Sequence, residues 1–141
     1  MNVLLVPIDG SESSLNALRS ALAMLNNGRD GQLHVISVQP PILSGNVKRF
    51  ISSEIIDGYY AEEGEKALEG ARELLRGSDA AATISVQVGP VAETIVEYAK
   101  KHECNHIVMG TRGMGRVKGL LLGSVTTKVL SLAEIPVTLV K

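Results

Sequence analysis

A chain of 141 residues with 45% apolar and 21% charged side chains has the composition of one ordinary globular domain with one core. Its formal net charge of −1 gives no global attraction to nucleic acid or to an anionic membrane surface, and three tyrosines, one phenylalanine and no tryptophan are too few for a base-stacking platform. A single cysteine, Cys104, excludes an intrachain disulfide and any four-cysteine zinc site.

The first element in chain order is "VLLVPI", Val3 to Ile8, which ends at Asp9-Gly10. Its hydrophobicity is continuous rather than alternating, the pattern of a strand covered on both faces. The segment "MNVLLVPIDG" lacks the basic start and apolar length of a signal peptide, and no stretch approaches the ~20 apolar residues that cross a bilayer. A cytoplasmic protein that engages neither membrane nor nucleic acid is expected.

Ser11 suits the cap of a helix carrying Leu15, Leu18, Leu22 and Leu25 on one face, closed by "NNGRDG". Gln32 to Val38 reads as a second strand, stopped by Pro40-Pro41, with residues 40–50 a loop. A long helix follows from Ile51 to Arg76, with Ile56, Tyr60, Gly64, Ala67, Ala71 and Leu74 along one side. Ala82 to Val88 is the third strand. Pro90 fits the first turn of a helix that buries Ala92, Ile95, Val96 and Ala99. "HIVMG" is the fourth strand, Leu122, Val125, Val129 and Leu132 mark the last helix, and "PVTLV" is the fifth strand. Strict alternation with short connections predicts a three-layer α/β/α fold around a five-stranded parallel sheet, with residues 1–141 as one domain. Ligands of such sheets sit beyond the carboxyl ends of the strands, where the winding reverses.

Between the fourth strand and the last helix runs "MGTRGMGRVKGLLLGS", Met109 to Ser124, with five glycines, three cationic side chains and no carboxylate. Bare backbone and positive charge ahead of a helix favour an anion, most often phosphate. Gly110 and Gly115 have P-loop spacing, but Arg116 and Val117 replace the Lys and Ser/Thr that a P-loop requires. Gly113 and Gly115 begin a dinucleotide fingerprint, but Lys118 occupies its third glycine, and that fingerprint belongs after the first strand. What remains is Gly110-x2-Gly113-x9-Gly123-Ser124.

This spacing, with "PIDGS" after the first strand and "IPVTLVK" at the end, resembles the universal stress protein family over the whole chain, and within it the branch that binds ATP. The resemblance implies a strand order of 3-2-1-4-5. It implies an adenine nucleotide as ligand, ATP with magnesium as an open addition. It matches the adenine end of the site to Pro7, Ile8, Asp9, Val38 and Met109. It matches the ribose and phosphates to Gly110, Arg112, Gly113, Gly115, Gly123, Ser124, Val125 and Thr126. It also implies a homodimer formed through the C-terminal strand, and a protein partner that the sequence does not identify.

Asp9 has two readings, a turn residue before Gly10 or a carboxylate that accepts from a ribose hydroxyl or the adenine edge. Arg112 lies inside the motif, whereas Arg116 and Lys118 fit a solvated loop face equally well. "HECNH" spaces His102, Cys104 and His106 at alternate positions, a pattern for a soft metal only if they share one strand, and no fourth ligand stands nearby. No metal ligand or catalytic residue is therefore assigned. The expected function is an ATP-binding stress-response regulator that acts through nucleotide-dependent conformation or partner binding. The alternatives are a slow ATPase or autophosphorylating enzyme, and a dimeric interaction module. No Glu, Asp, Gln or His lies between Gly110 and Ser124 to orient an attacking water, which argues against rapid hydrolysis.

Overall fold

The computed structural model describes residues 2–42, 51–112 and 122–141. Along them strands and helices alternate as β1 (Asn2–Pro7), α1 (Glu12–Met24), β2 (Gly31–Gln39), α2 (Ser53–Arg76), β3 (Ala82–Val88), α3 (Val91–Lys101), β4 (His106–Gly110), α4 (Ser124–Leu132) and β5 (Val137–Val140). The sheet is parallel throughout, in the order β3-β2-β1-β4-β5. Its winding reverses between β1 and β4, where Leu4 pairs with His106 and Leu5 with Ile107. The carboxyl ends of those two strands therefore emerge side by side.

The apolar run of β1 feeds two cores. Leu4, Val6 and Ile8 pack with Ala17, Leu18 and Leu22 of α1 and with Leu68 and Ala71 of α2. Leu5 faces the other way and joins Ile36, Ile107 and Met109 beneath Ala92, Ile95 and Ala99 of α3 and Val129 of α4. Helices thus cover both faces, and the central strand has no solvent side on which a polar residue belongs. The side chains of Leu5 and Val6 are both 0% exposed, and each contributes roughly 1.5–3 kcal/mol by burial. The edge strand β3 behaves differently. Ala82, Ile84 and Val86 reach the first core, while Ser85 and Gln87 on its other face hydrogen-bond each other at 3.0 Å.

Capping chemistry sets the helix starts. Ser11 Oγ accepts from Ser14 N–H at 3.2 Å at the head of α1, as its position in the sequence suggests. Ser52 does the same for α2, accepting from Ile55 N–H at 3.3 Å. The helix therefore begins at Ser53 rather than Ile51, because a capping serine holds an extended backbone and cannot itself be helical. Pro90 also stands one place outside its helix, as the N-cap of α3. The end of α1 is forced by "NNG": Asn26, Asn27 and Gly28 have φ of 51°, 59° and 89°, a left-handed run that only Asn and Gly enter readily. Pro136 precedes β5 rather than opening it, and its carbonyl still accepts from Ile107 N–H at 3.0 Å. No helix among the described residues is long and apolar enough to cross a membrane.

Candidate functional site

Chain from β1 leaves the sheet at Pro7, although Ile8 N–H still donates to Ile36 O at 2.7 Å. The Ile8 side chain is 2% exposed and lies in the α1–α2 core. Val38 and Met109 pack on the opposite, α3–α4 side. Ile8, Val38 and Met109, all matched to the adenine end, therefore do not form one rim: Val38 and Met109 share a face and Ile8 does not. Asp9 is exposed, and its Oδ1 accepts from Ser11 N–H at 2.9 Å across Gly10, whose φ is 87°. Asp9 thus acts as a turn residue, and its Oδ2 has no partner among the described residues. Asp9 N–H points at Ser14 Oγ (3.4 Å), and that hydroxyl donates to Ser11 O at 2.9 Å. The turn after β1 and the first turn of α1 are one hydrogen-bonded unit.

Beside it, β4 ends at Gly110, packed against the first turn of α1. A Cβ added to Gly110 would lie 2.4 Å from Ser13 Oγ and 2.8 Å from the Ser13 carbonyl carbon. Neither Gly110 nor Gly123 has a positive φ; Gly123 sits at φ −73° and ψ 163°. Gly110 is thus required by the closeness of helix to strand rather than by a left-handed turn.

Thr111 N–H donates to Val140 O at 2.9 Å, and Thr111 O accepts from Gly123 N–H at 2.7 Å. The chain leaving β4 and the chain entering α4 are therefore joined directly. Thr126, 3% exposed, donates its hydroxyl to Gly110 O at 2.9 Å, a second tie between α4 and β4. Its hydroxyl is committed, and its backbone N–H is what it has to offer a ligand.

The N-cap of α4 is Gly123, which supplies no capping side chain, and the first turn contains no acidic residue. The N–H groups of Ser124, Val125 and Thr126 therefore open the helix without a side-chain acceptor among the described residues, at the positive end of the helix dipole. Ser124 adds an exposed hydroxyl, and Arg112, half-buried, leaves β4 beside it. Gly113, Gly115, Arg116 and Lys118 lie outside the described residues. The switch point thus gathers Pro7 and Asp9 from β1, Met109, Gly110 and Arg112 from β4, and the Gly123–Thr126 helix start, with the end of β2 alongside. Sequence reasoning missed Ser13, Ser14 and Thr111, which fix these parts to one another. The sequence signal for Ser13 and Ser14 is a cluster of small hydroxyl residues after a turn, and for Thr111 only its place in the glycine-rich stretch.

The residues of "HECNH" do not share one strand: His102 closes α3 and His106 opens β4. His106 Nε2 pairs with Thr138 Oγ1 at 2.7 Å, Cys104 is buried with its thiol pushed up to about 11 by desolvation, and His102 ends α3. Across the sheet, His34 Nδ1 meets Tyr98 Oη at 2.7 Å, and the His102 ring stacks on Tyr98 with centroids 4.0 Å apart. Burial, and then the charge of His102, hold the His34 pKa below its ordinary 6.5.

A histidine that resists protonation in the fold contributes full stability above its unfolded pKa. That stability is lost as pH falls below about 6.5, where the unfolded chain takes up a proton that the folded chain refuses. His34→Gln should therefore narrow the gap in melting temperature between pH 8 and pH 5.5. Thermal unfolding at both pH values checks this, and an unchanged gap would show that His34 is not the group responsible.

The universal stress protein family model matches residues 1–141 of this chain. The chain is 33% identical to the universal stress protein YxiE of Bacillus subtilis, over 99% of this chain and 99% of that protein. It is 31% identical to the universal stress protein MJ0531 of Methanocaldococcus jannaschii, over 98% of this chain and 81% of that protein. Among solved structures it resembles the protein MJ0577 with a TM-score of 0.84 at 26% identity, covering 99% of this chain and 95% of that one. More distant structures share the fold. One from Archaeoglobus fulgidus, in complex with dAMP, has a TM-score of 0.70 at 22% identity, covering 100% of this chain and 98% of that one. One from Arabidopsis thaliana, with AMP bound, has a TM-score of 0.66 at 18% identity, covering 100% and 92%.

Proposed function

The chain belongs to the universal stress protein family, and from that premise we propose that it is an adenine-nucleotide-binding regulator. It takes ATP where β1, β4 and α4 converge and signals occupancy by binding a protein partner. The observation that carries the reading is the start of α4. Three backbone donors and an exposed serine hydroxyl, in a first turn without an acidic residue, stand beside the exit of β4, an arrangement that suits a phosphate chain. Val38 and Met109 offer an apolar side for the base, and Asp9 Oδ2, without a partner among the described residues, offers an acceptor for a ribose hydroxyl. Magnesium arriving with the phosphates would meet this chain at Asp9 Oδ2 or the Ser124 hydroxyl. The dAMP and AMP complexes of fold relatives support the choice of an adenine nucleotide. Calorimetric titration with ATP and with GTP tests the reading, and selectivity for ATP is the expected result.

The same proposal includes a homodimer through β5. Among the described residues this strand ends the sheet and pairs with β4 alone, and it is only half-buried at each of its residues. An apolar edge of this kind invites a second copy. Val137 and Leu139 pack toward α3 and α4. Replacing both with lysine should give monomers in light scattering where the parent is a dimer, and thermal unfolding of the variant shows whether the α3–α4 core they pack against survives. A monomeric parent at high concentration would contradict the proposal.

A further inference from the structure

Thr111 and Gly123, which flank the segment before α4, are joined to each other and to the end of β5. Gly123 N–H donates to Thr111 O at 2.7 Å, and Thr111 N–H donates to Val140 O at 2.9 Å. The second lone pair of the Val140 carbonyl takes a bond from Ser13 Oγ at 3.1 Å, from 127 positions away in sequence. Further along α1, the Asn16 side-chain amide donates to Lys141 O at 3.0 Å. A line of hydrogen bonds therefore runs from the first turn of α1, through the end of β5 and the exit of β4, to the N-cap of α4. Ser13 reaches this point because Gly110 has no Cβ to exclude it.

We propose that Ser13 is a positioning residue for the nucleotide site. By holding the Val140 carbonyl it fixes Thr111, and through Thr111 it fixes the Gly123 cap from which the α4 donors project. This inference rests on the nucleotide reading above and adds a residue that the glycine motif does not contain. Its physical basis is that ligand donors act only when their supports are themselves held in place. Removing the Ser13 hydroxyl leaves Val140 O with its bond from Thr111, so no buried acceptor is orphaned and the fold tolerates the change. Effects on affinity and on stability can thus be separated.

The test compares the parent, Ser13→Ala and Ser13→Thr by titration calorimetry with ATP, and by amide hydrogen exchange at Gly123 without nucleotide. The alanine variant should bind ATP about fivefold more weakly, the worth of one neutral hydrogen bond. Its Gly123 amide should exchange faster. Threonine, which keeps the hydroxyl, should restore both. Parental affinity and parental Gly123 exchange in the alanine variant would overturn the proposal and leave the nucleotide reading standing. An affinity loss that threonine does not restore would also overturn it, because that is the mark of general packing. Failure of the parent to bind ATP would overturn the nucleotide reading and this inference with it.

Discussion

Gly110→Ala is expected to lower the melting temperature by ~3–10 °C, corresponding to about 1–3 kcal/mol of overpacking in a domain of this size. The new methyl would sit 2.4 Å from Ser13 Oγ, 2.8 Å from the Ser13 carbonyl carbon and 3.0 Å from Ser13 Cβ. The hydroxyl can rotate away, but the carbonyl carbon belongs to the backbone of α1 and can yield only if the helix moves. That helix is packed on β1 through Ala17 and Leu18, both 0% exposed, so its displacement disturbs the first core. Differential scanning calorimetry measures the shift. A melting temperature equal to the parent's would mean that α1 does not lie against the end of β4. Backbone strain is no alternative source of the effect, since the φ of Gly110 is not positive.

Ser124→Asp should move stability and ligand affinity in opposite directions. Ser124 is the first residue of α4, exposed, with no acidic neighbour in its turn and no side-chain cap before it. A carboxylate there meets the positive end of the helix dipole and should stabilise the fold by about 0.3–1 kcal/mol. The same charge occupies the region proposed for the phosphates and repels them, so ATP affinity should fall at least tenfold, or about 1.4 kcal/mol. Ser124→Ala is the control. It removes one hydrogen bond to a charged phosphate and should weaken binding by ~1.5–3 kcal/mol without stabilising the helix. Calorimetric titration combined with thermal unfolding reads both quantities. An aspartate variant that binds ATP like the parent would place the phosphates away from α4.

Much of the fold can be read from local patterns, because the cues are local. Ser11 caps α1 where a short polar side chain follows Asp-Gly, and "NNG" ends that helix where left-handed backbone is needed. The alternation of strand and helix announces a parallel sheet. Strand order is different: nothing in the periodicity of β1 says that β4 rather than β3 lies beside it, and the order follows only from the family resemblance. Facing is also hidden in a strand buried on both sides. "VLLVPI" contains no polar residue to betray which face is which, so Ile8 could be grouped with Val38 and Met109 although it packs against α1 and α2. Gly110 was legible as a glycine in a phosphate motif but not as the place where α1 touches β4. Contacts that depend on distant parts of the chain leave no local mark. The Ser13 bond to Val140 and the meeting of His34 with Tyr98 and His102 across the sheet are of that kind.

The proposed function depends on an adenine nucleotide binding at the junction of β1, β4 and α4. Titration calorimetry of the parent protein with ATP and with GTP, under identical salt and magnesium, tests it most directly. With the proposed placement, the base against Val38 and Met109 and the phosphates at α4, saturable 1:1 binding of ATP and weaker binding of GTP are expected. Equal affinity for the two nucleotides would contradict the placement of the base, and absence of binding to either would contradict the site itself.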